Sequence, residues 1–171
     1  MASRRTFLQL GAGASLALAL GGGLYRATRA APLPQRFALD GEARAALGAI
    51  VPVLLAGALA PGADAGAVID QVHHAILGLP LAAQKELQDL FGLLALAPAR
   101  RLLTGVAGPW GDAAPVTVQA FLQDWRVSQF GMLRAAYGAL HDLVLGAWYA
   151  APGSWDAIGY PGPQLAWAPR R

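Results

Sequence analysis

Apolar residues in this chain recur at three- and four-residue intervals, and prolines and glycines cut that recurrence into segments of helix length. No stretch alternates apolar and polar residues for long enough to make a useful strand, and no internal repeat occurs. The pattern therefore confines the chain to an all-α fold, a small bundle of about four helices. Asp40 can cap a first helix whose residues Leu47, Ile50, Val51, Leu54 and Leu55 share a face, with a kink expected at Pro52. The run Ala45 to Ala60 is apolar, but it is short for a membrane span and holds a proline, so it reads as a buried core helix. Asp64 opens a second helix, with Val68, Ile69, Val72, Ile76 and Leu77 as its stripe and its end near Gly78. Pro80 sits where a first-turn proline belongs, ahead of a third helix over 81–96 with Leu87, Leu90, Phe91 and Leu94 inward. Pro98 interrupts that helix, Arg100 to Leu103 add a further turn, and Gly105, Gly108, Pro109, Gly111 and Pro115 mark a loop that carries Trp110.

The longest regular element is expected from Pro115 to about Tyr149, one continuous helix forming the spine of the bundle. Along it Val118, Phe121, Leu122, Trp125, Met132, Leu133, Tyr137, Leu140, Val144 and Trp148 follow one face. Beyond Pro152-Gly153 the segment 152–171 is too broken by proline and glycine for a helix or a central strand, yet it carries large aromatic groups. Trp148, Tyr149, Trp155, Tyr160 and Trp167 all fall in the last two dozen residues of the chain. Such a tail either wraps back to seal its own bundle or presents rigid aromatic anchors to another protein.

The first thirty residues have a different character. Ser3-Arg4-Arg5-Thr6-Phe7-Leu8-Gln9 places two arginines before a hydrophobic pair, and a weakly apolar Gly/Ala/Leu stretch runs from Leu10 to Leu24. Arg26 and Arg29 follow, and Thr28-Arg29-Ala30 offers small residues where a signal peptidase reads them. This is the layout of a twin-arginine (Tat) signal, with Arg4, Arg5, Phe7 and Leu8 as the targeting residues and cleavage expected after Ala30. The domain organisation is then a signal peptide over 1–30 and a single helical domain over 31–171. The expected location is the periplasm, with membrane contact only through the leader; an uncleaved leader would hold the protein at the inner membrane. The twin-arginine route accepts folded cargo, which suits a protein that travels with a cofactor-bearing partner.

Composition removes several function classes. The formal charge is +3, but four of the thirteen basic residues lie in the leader. The remaining nine face ten acids, a net charge of −1 with no basic stripe, which argues against nucleic acid as a partner. With no cysteine, the chain has no disulfide, no thiol nucleophile and no thiolate ligand for a cluster or haem. Hydrophobic residues at 56% against 13% charged place it among compact folds, and what remains of its length suits one core.

The candidate chemistry is sparse. His73 and His74 are neighbours, so on a helix they point about a hundred degrees apart and Asp70 can assist only one of them at a metal. His141 and Asp142 are likewise adjacent and do not form a ready acid/base pair. Ser128, one turn after Asp124, lacks a basic partner and an oxyanion site and is expected to face a helix carbonyl. The glycines around Gly11-Ala12-Gly13 and Gly21-Gly22-Gly23 lie in the leader, without a preceding strand, and are no phosphate cradle. Arg126 and Arg134 flank the apolar face of the long helix, where they either pair with Asp124 and Asp142 at the surface or, for Arg134 with Tyr137, hold the carbonyls of the C-terminal loop. No catalytic, metal or cofactor-binding residue is assigned.

Phe121-Leu122, Trp125-Arg126, Ser128, Arg134, Tyr137, Trp148-Tyr149 and the ending Trp155 through Ile158-Gly159-Tyr160-Pro161-Gly162-Pro163, together with the leader, resemble the small subunits of periplasmic flavin dehydrogenases of the glucose-methanol-choline type. Gluconate 2-dehydrogenase subunit 3 typifies that group. The resemblance covers the leader and roughly the last fifty residues. It implies a helical accessory subunit that binds no flavin itself and escorts a leaderless, FAD-bearing catalytic subunit through the Tat translocase. The partner contact is then expected at Trp155, Ile158 and Tyr160. Two other functions are compatible with the residues alone: a free-standing periplasmic helical module that encloses an apolar ligand, and a small enzyme working through His73 or His141.

Overall fold

Asp40 accepts a hydrogen bond from the Ala43 N–H at 2.7 Å and so starts the helix that organises the rest, α1 (Gly41–Leu54). The computed structural model describes residues 36–59, 64–155 and 158–162, whose regular structure is helical, with no strand among them. After α1 come α2 (Ala65–Leu77), α3 (Leu81–Ala95), α4 (Ala97–Thr104), α5 (Pro115–Arg126) and α6 (Gly131–Ala150). Single 3-10 turns lie at Trp110–Asp112 and Pro152–Ser154. The all-α expectation holds, and the described residues form six α-helices because two of the expected elements are each divided.

α1 lies at the centre, packed against α2, α3, α5, α6 and the Trp110 turn. Ala43 and Ala46 let its neighbours approach closely, while Leu47, Ile50 and Val51 fill the space between them, all essentially without solvent exposure. Burying a side chain of that size is worth about 1.5–3 kcal/mol, so this one face anchors most of the core. Pro52 lies within the helix, which ends two residues later, and the Leu55 N–H still donates to the Val51 carbonyl. Asp64 caps α2 through the Gly66 N–H, and Gly78 ends it in a right-handed conformation rather than the left-handed one that glycine permits. Pro80 stands one residue ahead of the first turn of α3, at the N-cap.

Gln84 ties this region together from inside α3. Its Oε1 accepts the Phe37 N–H at 2.9 Å, while its Nε2 donates to the carbonyls of Leu77 and Leu79. The extended arm before α1 and the connection from α2 to α3 are thereby fixed to one buried amide, with Phe37 resting between His73 and Phe91. At Pro98 the chain begins a separate helix, α4, instead of one added turn. Its Arg100 is buried, with one guanidinium nitrogen 3.8 Å from Glu42 of α1 and 3.4 Å from the Ala95 carbonyl. α4 ends on Gly105, whose φ of 72° is the left-handed cap that glycine adopts without steric cost.

Two expectations are corrected by tertiary packing. Trp110 is not stranded in a loop: it is 1% exposed, its Nε1 donates to the Leu94 carbonyl at 3.1 Å, and its ring meets Phe121 edge-on. The single spine from Pro115 to Tyr149 is two helices, α5 and α6, which pack against each other across residues 127–130. Neither proline nor glycine makes this break. Ser128 Oγ accepts the Phe130 N–H, and the Arg134 guanidinium donates to the Ser128 carbonyl, so local polar groups replace the helical ladder. Met132, expected on the inner face, is 72% exposed as a result.

Candidate functional site

The C-terminal turn is organised around Trp155. Its Nε1 donates to the Tyr149 carbonyl at 2.9 Å, its own carbonyl accepts the N–H groups of Ile158 and Tyr160, and its ring meets Tyr160 edge-on with centroids 5.4 Å apart. Gly162 closes the turn with φ at 85°, and a β-carbon there would stand 3.0 Å from the indole. Only glycine fits both the backbone and the ring. Of the three residues expected to contact a partner, Trp155 is thus half-buried in its own fold, while Ile158 and Tyr160 remain exposed at 54% and 45%. Within the described part of the tail, Trp155 packs against its own fold while Ile158 and Tyr160 stay exposed. Trp167 and Pro163 lie outside the described residues, as do the targeting residues Arg4, Arg5, Phe7 and Leu8.

The polar candidates are dispersed. The Asp70 carboxylate pairs with Arg44 of α1 at 2.8 Å, and the ring of His74 reaches the Asp70 backbone carbonyl instead. His73 rests against Phe37. Among the described residues no three His, Cys, Asp or Glu side chains gather where they could hold a metal ion. His141 and Asp142, adjacent on α6, do meet, with Nδ1 3.0 Å from the carboxylate at the exposed surface, a contact that sequence spacing alone does not suggest. The His141 ring also lies beside Tyr137. Ser128 does not face a helix carbonyl but accepts the Phe130 N–H, and Arg134 holds the carbonyl of Ser128 rather than those of the C-terminal loop. Neither Arg126 nor Arg134 takes part in an ion pair among the described residues.

A groove of about 590 Å³ lies between α3 and α6. Leu90 and Leu93 line it from α3, Leu133, Ala136, Ala139 and Leu143 from α6, and Trp125 and Leu103 contribute at its floor. The Trp125 Nε1 donates to the Leu103 carbonyl at 2.9 Å, which leaves the indole without an unmet polar atom. Three carboxylates, Glu86, Asp89 and Asp142, also belong to the lining, which contains no lysine or arginine. Sequence reasoning passed over this groove. A signal was present: α3 carries apolar residues beyond its Leu87-Phe91-Leu94 stripe, and small residues recur at Ala135, Ala136 and Ala139, so both helices have more apolar surface than one buried face requires.

No helix among the described residues is long and apolar enough to cross a membrane. The chain matches no protein-family model, no curated protein and no solved structure.

Proposed function

We propose that this chain is a non-catalytic accessory subunit that binds a flavin-dependent dehydrogenase and escorts it, already folded, through the twin-arginine translocase to the periplasm. The observation that carries the reading is the leader: Arg4-Arg5 ahead of Phe7-Leu8 and a weakly apolar stretch, on a chain whose ending from Trp155 to Pro163 resembles the small subunits of such complexes. FAD belongs to the partner in this reading, and the chain acts through a surface. Exposed Ile158 and Tyr160, held in place by Trp155, supply apolar area for such a contact. Changing Arg4 and Arg5 together to lysine keeps the charge and removes the signal. In cells expressing both proteins, that variant should leave the flavoprotein in the cytoplasm, measured as dehydrogenase activity and flavin in the two fractions. Export of the flavoprotein undiminished by the double substitution rules the escort role out.

The α3/α6 groove favours a second reading, a periplasmic module for an apolar ligand. Its volume falls in the range of small-molecule sites, and its walls are mostly hydrocarbon, with Glu86, Asp89 and Asp142 as the charged part of the lining. Mass spectrometry of solvent extracts from the purified protein separates the two: a stoichiometric apolar compound supports the module, and a co-purifying yellow polypeptide supports the escort.

A further inference from the structure

The walls of the α3/α6 groove follow the two helices for three turns. On α3 the lining runs from Ala83 to Leu93, and on α6 from Met132 to Leu143, each about 15 Å at 1.5 Å per residue. A trough of that length, lined mostly by apolar side chains, matches the length of a three-turn helix laid along two others. Its charge then narrows the occupant. Glu86 and Asp89 stand on the α3 side and Asp142 on the α6 side. Asp89 is paired with Lys85 and Asp142 with His141, but these are exposed pairs, and Glu86 has no ion-pair partner among the described residues. Both margins therefore present carboxylate to whatever enters. A second copy of this chain seated by the same groove would bring acid against acid, and a fatty acid or phospholipid would meet repulsion at its headgroup.

We infer that the groove between α3 and α6 receives an amphipathic helix of a partner protein, apolar on the face that enters and basic on both flanks. Leu90, Leu93, Leu133 and Leu143 take its apolar anchors; Glu86, Asp89 and Asp142 pair with its lysines or arginines and fix its register. This interaction is separate from export and needs no particular identity for the polypeptide that carries the helix.

The test uses the full-length chain and two labelled peptides about four turns long, each with leucines at i, i+3, i+4 and i+7 and flanked by either lysines or glutamates, followed by fluorescence anisotropy. Saturable binding of the lysine peptide, at least about tenfold tighter than the glutamate peptide at low salt and converging with it as salt rises, is the expected result. Glu86→Lys with Asp142→Lys should invert the preference. Ala136→Trp should fill the trough and cut affinity for the lysine peptide at least about tenfold, with its helical circular dichroism unchanged; Ala139→Phe serves in its place if that variant does not fold. Equal affinity for the two peptides overturns the inference. So does an unchanged affinity in the groove-filled protein, or uptake of an alkyl probe with no binding of either peptide.

Discussion

Trp110 illustrates how little of a residue's role is set by its immediate neighbours. Between Pro109 and Gly111 it has the local setting of a surface turn, yet it is among the largest fully buried side chains of the core. It reaches back to α3 through the Leu94 carbonyl and forward to α5 through Phe121, which in turn meets Trp125 edge-on at 5.4 Å. This chain of aromatics joins the loop to two helices that are distant in sequence. Replacing Trp110 by alanine empties that volume and leaves the Leu94 carbonyl without its donor, at a cost of about 3–5 kcal/mol. Urea unfolding followed by circular dichroism should show that loss; a change below about 1 kcal/mol would mean that the turn is a passenger on the core.

The division between α5 and α6 is a property of the element, and it has a consequence that can be measured. Proline in a helix interior costs about 3 kcal/mol or more, because it removes a ladder hydrogen bond and collides with the preceding turn. Gln129 lies between the helices, and its N–H donates to no described backbone group outside regular structure. Gln129→Pro should therefore lower stability by less than about 1 kcal/mol, whereas Gly138→Pro, in the interior of α6, should cost the full amount. Comparable losses at both positions would restore the uninterrupted spine. Much of the helix inventory follows from short-range signals of this kind: Asp40 and Asp64 cap as their side chains dictate, and the stripes on α1 and α2 lie inward as their spacing requires. The break after Arg126 does not, because Leu133, Tyr137, Leu140 and Val144 continue a helical period whether or not the backbone turns. Periodicity records which residues share a face and is blind to a reversal that preserves it.

At the scale of the whole molecule, the C-terminal turn and the α3/α6 groove are two apolar surfaces among the described residues that lie outside the core. They are held in different ways. The turn depends on one indole and two glycines in left-handed conformation, so its exposed residues can be changed without loosening the bundle. Ile158→Glu should leave the melting temperature within about 2 °C of the parent, since the side chain is 54% exposed and gives up little burial. Under the escort reading the same substitution should sharply reduce the dehydrogenase recovered with this chain, measured by its flavin absorbance. Full recovery would move the contact away from the turn and leave the groove as the remaining apolar candidate.

The sequence by itself determined the class of fold, the caps of α1 and α2, and the faces that α1, α2 and α3 bury, because helix period, N-cap chemistry and proline geometry act within a few residues. It also supplied the Arg4-Arg5 pair on which the functional proposal rests. Only the tertiary structure decided that Trp110 belongs to the core, that Gln84 joins the arm to the α2–α3 connection, that Trp155 supports the tail while Ile158 and Tyr160 face outward, and that Leu90 and Leu143 line opposite walls of one groove. Each of these depends on how far apart two helices settle. That distance is set by the summed packing of side chains from separate segments, with α1 between them, and no single segment contains it.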